Sequence, residues 1–206
     1  MDCKTELIHV DADWKRVKNE CRNTVNKDPT ENEPGSDFKI KLLISEHSPI
    51  RLIHFHWRWA NIKSWIATHF ARHWLGWDKW IGTRRTDRTG VNRDELRQDE
   101  LVPMDINANA QALINVARFR LCRCAATETR EHMEDLKCTI NEVSPETSFV
   151  MVPNCIYRGG CPEFTACGFY DWFLKQHPDI DLSDIRTRYE AYNNDFYKLH
   201  KKYRGE

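Results

Sequence analysis

The chain has 206 residues, of which 40% are hydrophobic and 30% are charged, as is usual for one globular domain with or without an appendage. Its 31 lysines and arginines balance its 31 aspartates and glutamates, so no general attraction draws it to nucleic acid or to an anionic membrane. No apolar run approaches the ~20 residues of a membrane span, and the N-terminus lacks an apolar signal core, which makes the cytoplasm the expected location. In that compartment, the eight cysteines favour free thiols or a metal site over disulfides.

The first part of the chain predicts a loop and a strand. Residues 26–37 are polar and contain two prolines and a glycine, a composition typical of a loop or linker. In residues 51–59, apolar and polar side chains alternate, which predicts a half-buried strand. The side chains expected on its buried face are Ile53, Phe55, Trp57 and Trp59.

The next segments predict a helix and then a loop. Residues 61–73 carry apolar side chains at intervals of three and four, the pattern of an amphipathic helix. We expect Gly76 to end this helix and Arg72-His73 to lie near its end. Residues 82–100 are strongly charged and predict a loop with a short exposed helix.

Four further helices are expected in the second half of the chain. One runs from a cap at Asn109 to about Ala126, and the next from a cap at Thr127 to about Ile140. Residues 151–168 predict a loop. An aromatic helix then covers about residues 169–177, and the last helix begins at Ser183 as N-cap and continues to the C-terminus.

Two groups of polar residues are of the kind that binds nucleotides. Arg72-His73 is followed closely by Thr83, Arg84 and Arg85, and arginine holds phosphate through a planar, permanently charged fork. Composition alone favours the alternative of a solvated loop with surface ion pairs. Asn109, Asn115 and Arg120 share the next helix, where an asparagine amide suits the edge of a uracil or flavin ring; the alternative is a helix with ordinary polar positions.

A third group consists of cysteines. Cys155, Cys161 and Cys167 follow each other at intervals of six, and thiolates at close spacing hold zinc or an iron–sulfur cluster. The fourth ligand would come from elsewhere, with three candidates: Cys122, Cys124 and Cys138. Buried free thiols are the alternative.

Taken together, these segments resemble the flavin-dependent thymidylate synthases. The stretch EHSPIRLIHFHWRWANIKSWIATHFARHWLGWDKWIGTRRTDR places a His-x-Pro turn, a strand, a helix and Arg72-His73 in the order of that family. The stretch NANAQALINVARFR reproduces the two asparagines and the terminal arginine of the family's second motif. The resemblance covers about residues 38–135. Trp74 stands where the family's Arg-His-Arg motif has its last arginine, and Gly82 or Thr83 stands at the loop serine.

The resemblance implies roles for individual residues. Arg72 and Arg120 are the expected catalytic residues. The residues that the resemblance places at the flavin are His47, Arg72, His73, Asn109 and Asn115. Those that it places at the nucleotide are His69, Thr83, Arg84, Arg85 and Arg120.

The resemblance also implies a fold and a reaction. The expected fold is α+β, with helices around a small, mostly antiparallel sheet in residues 1–140. Residues 141–206 have no counterpart in the family and are expected to form a cysteine-containing, helical extension. The expected reaction is methylation of deoxyuridine monophosphate to thymidylate, with FAD as cofactor and with NADPH and methylenetetrahydrofolate as co-substrates. A homotetramer with shared sites is the expected assembly.

Two other functions remain open on the sequence. A related one-carbon transfer to a pyrimidine nucleotide, such as hydroxymethylation, would accommodate Trp74. A non-catalytic, metal-stabilised module would bind nucleic acid through the basic loop and the tryptophans. The balanced charge argues against the module.

Overall fold

The computed structural model describes the backbone of residues 4–204 and the side chains of residues 4–200. It contains a four-stranded antiparallel sheet flanked by helices, which confirms the predicted α+β class. The strands are β1 (Thr5–Asp11), β2 (His54–Lys63), β3 (Trp77–Ile81) and β4 (Leu101–Asn109). The α-helices are α1 (Trp14–Asn23), α2 (Ser36–Ile44), α3 (Ser64–Ala71), α4 (Thr86–Thr89), α5 (Ala110–Arg120), α6 (Thr127–Val143), α7 (Pro145–Val150), α8 (Asn154–Arg158), α9 (Phe169–Gln176) and α10 (Ile185–Arg204). Two short 3-10 helices span Ser48–Leu52 and Arg93–Glu95.

The sheet has the strand order β1-β2-β4-β3, so β1 and β3 form its edges. The predicted strand is confirmed as β2, and its apolar side chains lie on the buried face as expected. β4 alternates in the same way and buries Val102, Met104, Ile106 and Ala108. One face of the sheet therefore packs on helices, while the other carries polar pairs such as Arg58 and Asp105.

Aromatic side chains form the centre of the core. The Trp57 ring meets the Trp59 and Trp77 rings edge-on, with centroids 5.8 and 5.3 Å away. Phe70 of α3 packs on the Trp59 ring at 4.7 Å. The Trp59 indole N–H donates to Thr5 Oγ1 at 2.9 Å, which satisfies a polar group that burial would otherwise penalise. Most of the tryptophans between residues 57 and 77 thus hold α3 against the sheet.

The helix predicted over residues 61–76 is shorter than expected at both ends. Residues 61–63 belong to β2, because Ile62 and Lys63 pair with β4. The helix α3 ends at Ala71, with Arg72 as its C-cap, so Arg72-His73 follows the helix instead of lying on it. Side chains from outside α3 explain the early end: Arg120 donates to the carbonyl of His69 and Lys79 to that of His73.

The caps and lengths of other helices also differ in part. Asn109 caps α5 as predicted, but α5 ends at Arg120 and a turn occupies residues 121–126. Thr127 is the first residue of α6 and does not cap it. Asp184, not Ser183, caps α10, since Asp184 Oδ2 accepts the Thr187 N–H at 2.7 Å. The loop predicted over residues 151–168 contains α8.

Other predicted segments agree with the structure over most of their length. The aromatic helix is α9, and residues 82–100 form a loop with the short helix α4. The loop predicted over residues 26–37 ends earlier than expected, because α2 begins at Ser36. Residues 205–206 of the predicted last helix lie outside the described residues. The predicted division after residue 140 falls inside α6. Among the described helices, none is both long enough and apolar enough to cross a membrane.

Two buried cations tie the C-terminal helices to the rest of the chain. The Lys137 ammonium of α6 donates to the Ser148 carbonyl and to Asn193 Oδ1, at 2.5 and 2.7 Å. Three aromatic rings surround it at 5.1 to 5.9 Å. Arg188 of α10 donates to the carbonyls of Ile156 and Tyr157, at 2.5 and 3.0 Å. Burial of the amine lowers the pKa of Lys137 to about 7.

We predict that Lys137 makes folding stability depend on pH. Its folded pKa of about 7 lies below its ordinary value of 10.5, so between these values the unfolded chain binds more protons and stability rises with pH. In the variant Lys137→Met this contribution is absent. Urea unfolding gives the free energy of unfolding of each protein at pH 7 and at pH 9. The increase between the two pH values should be larger in the wild type than in the variant. The exposed Lys175→Met is the matched control, and an equal pH effect in all three proteins would contradict the prediction.

Candidate functional site

The turn after α3 and the first turns of α5 enclose an open cavity of about 170 Å³. The turn contributes one wall through residues 72–75, and α5 contributes the other through residues 112–116. The lining residues are Arg72, His73, Trp74, Leu75, Ala112, Asn115 and Val116. Three of the residues that the resemblance placed at the flavin therefore line one cavity: Arg72, His73 and Asn115.

Asn109 lies at the junction between β4 and α5 and positions both walls. Its Oδ1 accepts the Ala112 N–H at 2.9 Å and so caps α5. Its backbone N–H donates to the Gly76 carbonyl at 3.0 Å. Gly76 has φ +66°, and a Cβ added there would stand 2.2 Å from Asn109 Nδ2. Glycine is therefore required at position 76 both by the backbone conformation and by the space that the Asn109 amide fills.

Arg120 reaches back from the end of α5 to the end of α3. Its Nε donates to His73 Nε2 at 3.1 Å, and its Nη2 donates to the His69 carbonyl at 2.6 Å. Burial, with a contribution from nearby Arg72, lowers the pKa of the Arg120 guanidinium. Arginine stays charged in proteins even so, and this half-buried cation lies beside the cavity.

The surroundings of His73 keep its imidazole neutral. Burial, followed by the positive charges of Arg120 and Lys79, lowers the pKa of His73 to about 4. Because Arg120 donates to Nε2, that nitrogen is an acceptor and the ring proton lies on Nδ1. Burial also lowers the pKa of His69, whose Nδ1 lies 2.9 Å from Thr129 Oγ1.

Two further cavity side chains are exposed to solvent, Arg72 and Asn115. Among the described residues, Arg72 has neither a hydrogen bond nor an ion pair from its side chain. The guanidinium of Arg72 and the Nδ1–H of His73 are both donors. The cavity is thus suited to a ligand that presents carbonyl or phosphate oxygens.

The remaining predicted nucleotide and flavin residues lie elsewhere in the chain. Arg84 donates to Ser64 Oγ and to the Arg97 carbonyl, at 2.9 and 2.7 Å, next to the first residue of α3. Arg85 forms an exposed pair with Asp87. Thr83 to Arg85 follow the end of β3, whereas the cavity lies at its start, about 13 Å away for four residues of strand. His47, at the 3-10 helix, is not among the cavity residues.

The predicted metal cysteines do not form a metal site in the described residues. Cys155 is buried in α8, while Cys161 and Cys167 are exposed in the loop that follows. Burial, followed by the charges of Cys122 and Cys161, raises the pKa of Cys155 to about 12, which keeps it a thiol. In the part of the chain that the structure describes, no three histidine, cysteine, aspartate or glutamate side chains are placed to hold a metal.

Sequence reasoning missed the residues that support the cavity from behind. Lys79 donates to the His73 carbonyl at 2.6 Å, and Glu46, Gln111 and Arg118 form a network around Asn115. Gln111 and Arg118 lie four before and three after Asn115, a helical spacing that would have indicated contact. No sequence signal joins them to Glu46, which is 72 residues before Arg118.

Comparison with known proteins finds similarity at the level of structure. No family model matches the sequence, and no curated protein matches it. A UMP/dUMP methylase, PolB from Streptomyces cacaoi, bound with 5-Br dUMP, aligns with a TM-score of 0.58 and 14% identity, over 71% of this chain and 93% of that one. The flavin-dependent thymidylate synthase ThyX from Helicobacter pylori, complexed with FAD and dUMP, aligns with a TM-score of 0.58 and 10% identity, over 72% of this chain and 97% of that one.

A second structure of the Helicobacter pylori enzyme with FAD and dUMP gives a TM-score of 0.59, again at 10% identity. These alignments include nearly the whole of each solved chain, so the likeness is not confined to one motif. The four-stranded antiparallel sheet and its helices agree with the fold expected from the two motifs. The chain has the fold of the flavin-dependent thymidylate synthases.

Proposed function

We propose that the chain is a flavin-dependent enzyme that methylates deoxyuridine monophosphate to thymidylate. The observation that carries the proposal is the convergence of Arg72, His73 and Asn115 on one cavity, with Arg120 fixed beside it. Solved structures of the same fold are described as complexes with FAD and dUMP, or with 5-Br dUMP, which supports this choice of ligands.

The polar groups of the cavity fit the proposed ligands. A flavin and a uracil ring both present carbonyl oxygens, and the nucleotide adds a phosphate, whereas the groups from Arg72 and His73 are donors. Bound FAD, reduced by NADPH, would supply the hydride, and methylenetetrahydrofolate would supply the one-carbon unit. The residues of the chain then have to orient the pyrimidine and stabilise the negative charge that develops on it.

Arg120 is the residue that we assign to the second task. Its guanidinium is held at two points, by His73 Nε2 and by the His69 carbonyl, and it keeps its charge. A fixed cation near a ring carbonyl stabilises developing charge without reorganising during the reaction. His73 is neutral, so it adds no second charge and contributes its Nδ1–H as a donor. We assign Arg72, which is exposed at the rim, to the flavin and the nucleotide.

We also propose that the working enzyme is a homotetramer with sites shared between subunits. A cavity of about 170 Å³ is smaller than the roughly 300–1,000 Å³ of typical ligand pockets, so one chain encloses only part of a site. Trp74 and Leu75 beside it are each 71% exposed, an apolar surface that a second copy would cover. In such an assembly, Thr83, Arg84 and Arg85 would serve the site of a neighbouring subunit.

A related one-carbon transfer, such as hydroxymethylation of the pyrimidine, is the second candidate. Trp74 replaces the last arginine of the family motif and lines the cavity, so the chain has one cation fewer at the position where the co-substrate would approach. Mass spectrometry of the nucleotide product separates the two reactions, because a methyl and a hydroxymethyl group differ by one oxygen atom.

We predict that the purified protein binds FAD and that added deoxyuridine monophosphate shifts the flavin spectrum, because both ligands would share one cavity. Calorimetry at neutral pH measures FAD binding, and the change in the visible absorbance of the bound flavin measures nucleotide binding. Incubation with NADPH and methylenetetrahydrofolate should then give thymidylate. A protein that shows no heat of FAD binding at saturation would overturn the flavin assignment.

We predict that Arg120→Ala weakens nucleotide binding far more than it lowers stability. Loss of a charge-assisted hydrogen bond to the ligand costs about 1.5–3 kcal/mol, or roughly 10- to 150-fold in the dissociation constant. Arg186→Ala, which removes an exposed ion pair with Asp37, is the control and should leave binding unchanged. If Arg120→Ala unfolds the protein while its folded fraction binds nucleotide normally, Arg120 is a structural residue.

We predict that His73 titrates at a pKa of about 4, as seen in its imidazole proton signals by NMR, with a His73→Gln variant for assignment. A folded pKa below the ordinary 6.5 means that stability is lost as pH falls through the range from 6.5 to about 4. In Arg120→Ala the pKa of His73 should rise, since one lowering charge is removed. A His73 pKa near 6.5 in the wild type would contradict the burial argument.

A further inference from the structure

The side-chain amide of Asn115 has a defined orientation. Its Oδ1 faces Arg118 Nη1 at 3.3 Å and Gln111 Nε2 at 3.4 Å. A guanidinium has donors only, so the amide atom opposite Arg118 has to be the oxygen. The NH2 group of Asn115 is then on the opposite side of the amide from the atom that faces Arg118, and Asn115 is one of the residues that line the cavity.

A carboxylate from another part of the chain holds both of these donors. Glu46 accepts from Arg118 through both of its oxygens, and from Gln111 Nε2 through Oε2. A carboxylate accepts only, which also fixes the Gln111 amide with its nitrogen towards Glu46. The side chains of Arg118 and Glu46 are 11% and 22% exposed, so water screens this pair less than a surface pair.

Packing restricts the same pair further. The Arg118 guanidinium stacks over the Tyr157 ring at 3.5 Å, which limits its rotation. Glu46 has φ +51°, an uncommon conformation for a residue other than glycine, directly after the end of α2. Residues from the turn after α2, from α5 and from α8 therefore converge around one amide that belongs to the cavity wall.

We propose that Glu46 and Arg118 are positioning residues that hold Asn115 as a hydrogen-bond donor towards the cavity. The position facing Asn115 is then selective for an acceptor, such as a ring carbonyl, and excludes an amino group. The identification of the ligand as a flavin rests on the proposed function. The orientation of the Asn115 amide does not depend on it. Neither Glu46 nor Arg118 lines the cavity, so both act through Asn115.

A double-mutant cycle tests whether the pair acts through Asn115. Glu46→Gln should weaken FAD binding by about tenfold, because Arg118 loses its anionic partner and Asn115 its fixed orientation. In an Asn115→Ala background the same change should have no effect. Glu190→Gln, at an exposed pair with Arg186, is the matched control in both backgrounds. An equal loss of affinity with and without Asn115 would overturn the proposal.

A second measurement needs no ligand. The ¹⁵N order parameter of the Asn115 side-chain NH2 reports its rigidity on the picosecond to nanosecond timescale. It should be high in the wild type and in Glu190→Gln and should fall in Glu46→Gln. An unchanged order parameter in folded Glu46→Gln would overturn the positioning role. If wild type binds no FAD while the order parameter responds as expected, the positioning role stands and the flavin function is wrong.

Discussion

The amide of Asn109 joins the parts of the chain that make the site, and the cavity depends on that junction. The side-chain oxygen of Asn109 caps the first turn of α5, and the side-chain nitrogen fills the space next to Gly76. The backbone N–H of the same residue donates to the Gly76 carbonyl. The turn that carries Arg72 and His73 is therefore held against the helix that carries Asn115. A side chain at position 76 would separate the two walls, since its Cβ would overlap the Asn109 amide.

Helices α3 and α5 contribute both to the apolar core and to the polar site. On one side, α3 buries Phe70 against Trp59 and Trp77. Near its end, Arg120 donates to the carbonyl of His69, and in the turn that follows Lys79 donates to the carbonyl of His73. Helix α5 likewise buries its apolar face and presents Asn115 to the cavity. Core packing sets the positions of both helices, and the exposed ends between them form the site.

The sequence predicted best where the pattern was local. The alternation in β2 and the cap at Asn109 could be found because a strand face and an N-cap are decided by adjacent residues. The extent of α3 could not be predicted, because contacts with distant residues decide where it begins and ends. Ile62 pairs with β4, and Arg120 donates to the His69 carbonyl. Strands β1, β3 and β4 were not predicted; β3 has only five residues.

The same distinction applies to the site. Arg72, His73 and Asn115 were found through two motifs whose order along the chain is informative, and the structure places them at one cavity. Glu46 and Arg118 were missed, because residues 72 positions apart in the chain meet only in the folded structure. Arg84 and Arg85 attracted attention by composition, yet within one chain they bond to Ser64, Arg97 and Asp87.

The double anchoring of Arg120 has a consequence for the thermodynamics of binding. An arginine side chain carries about 2 kcal/mol of rotamer entropy, and here most of it is lost on folding, before any ligand arrives. An anion that reaches the guanidinium therefore meets a cation that is already ordered. In exchange, Nε and Nη2 are occupied, so the ligand gains fewer new hydrogen bonds than a free arginine would offer. If Arg120 binds the nucleotide as proposed, binding should accordingly show a small entropic cost and a modest enthalpy.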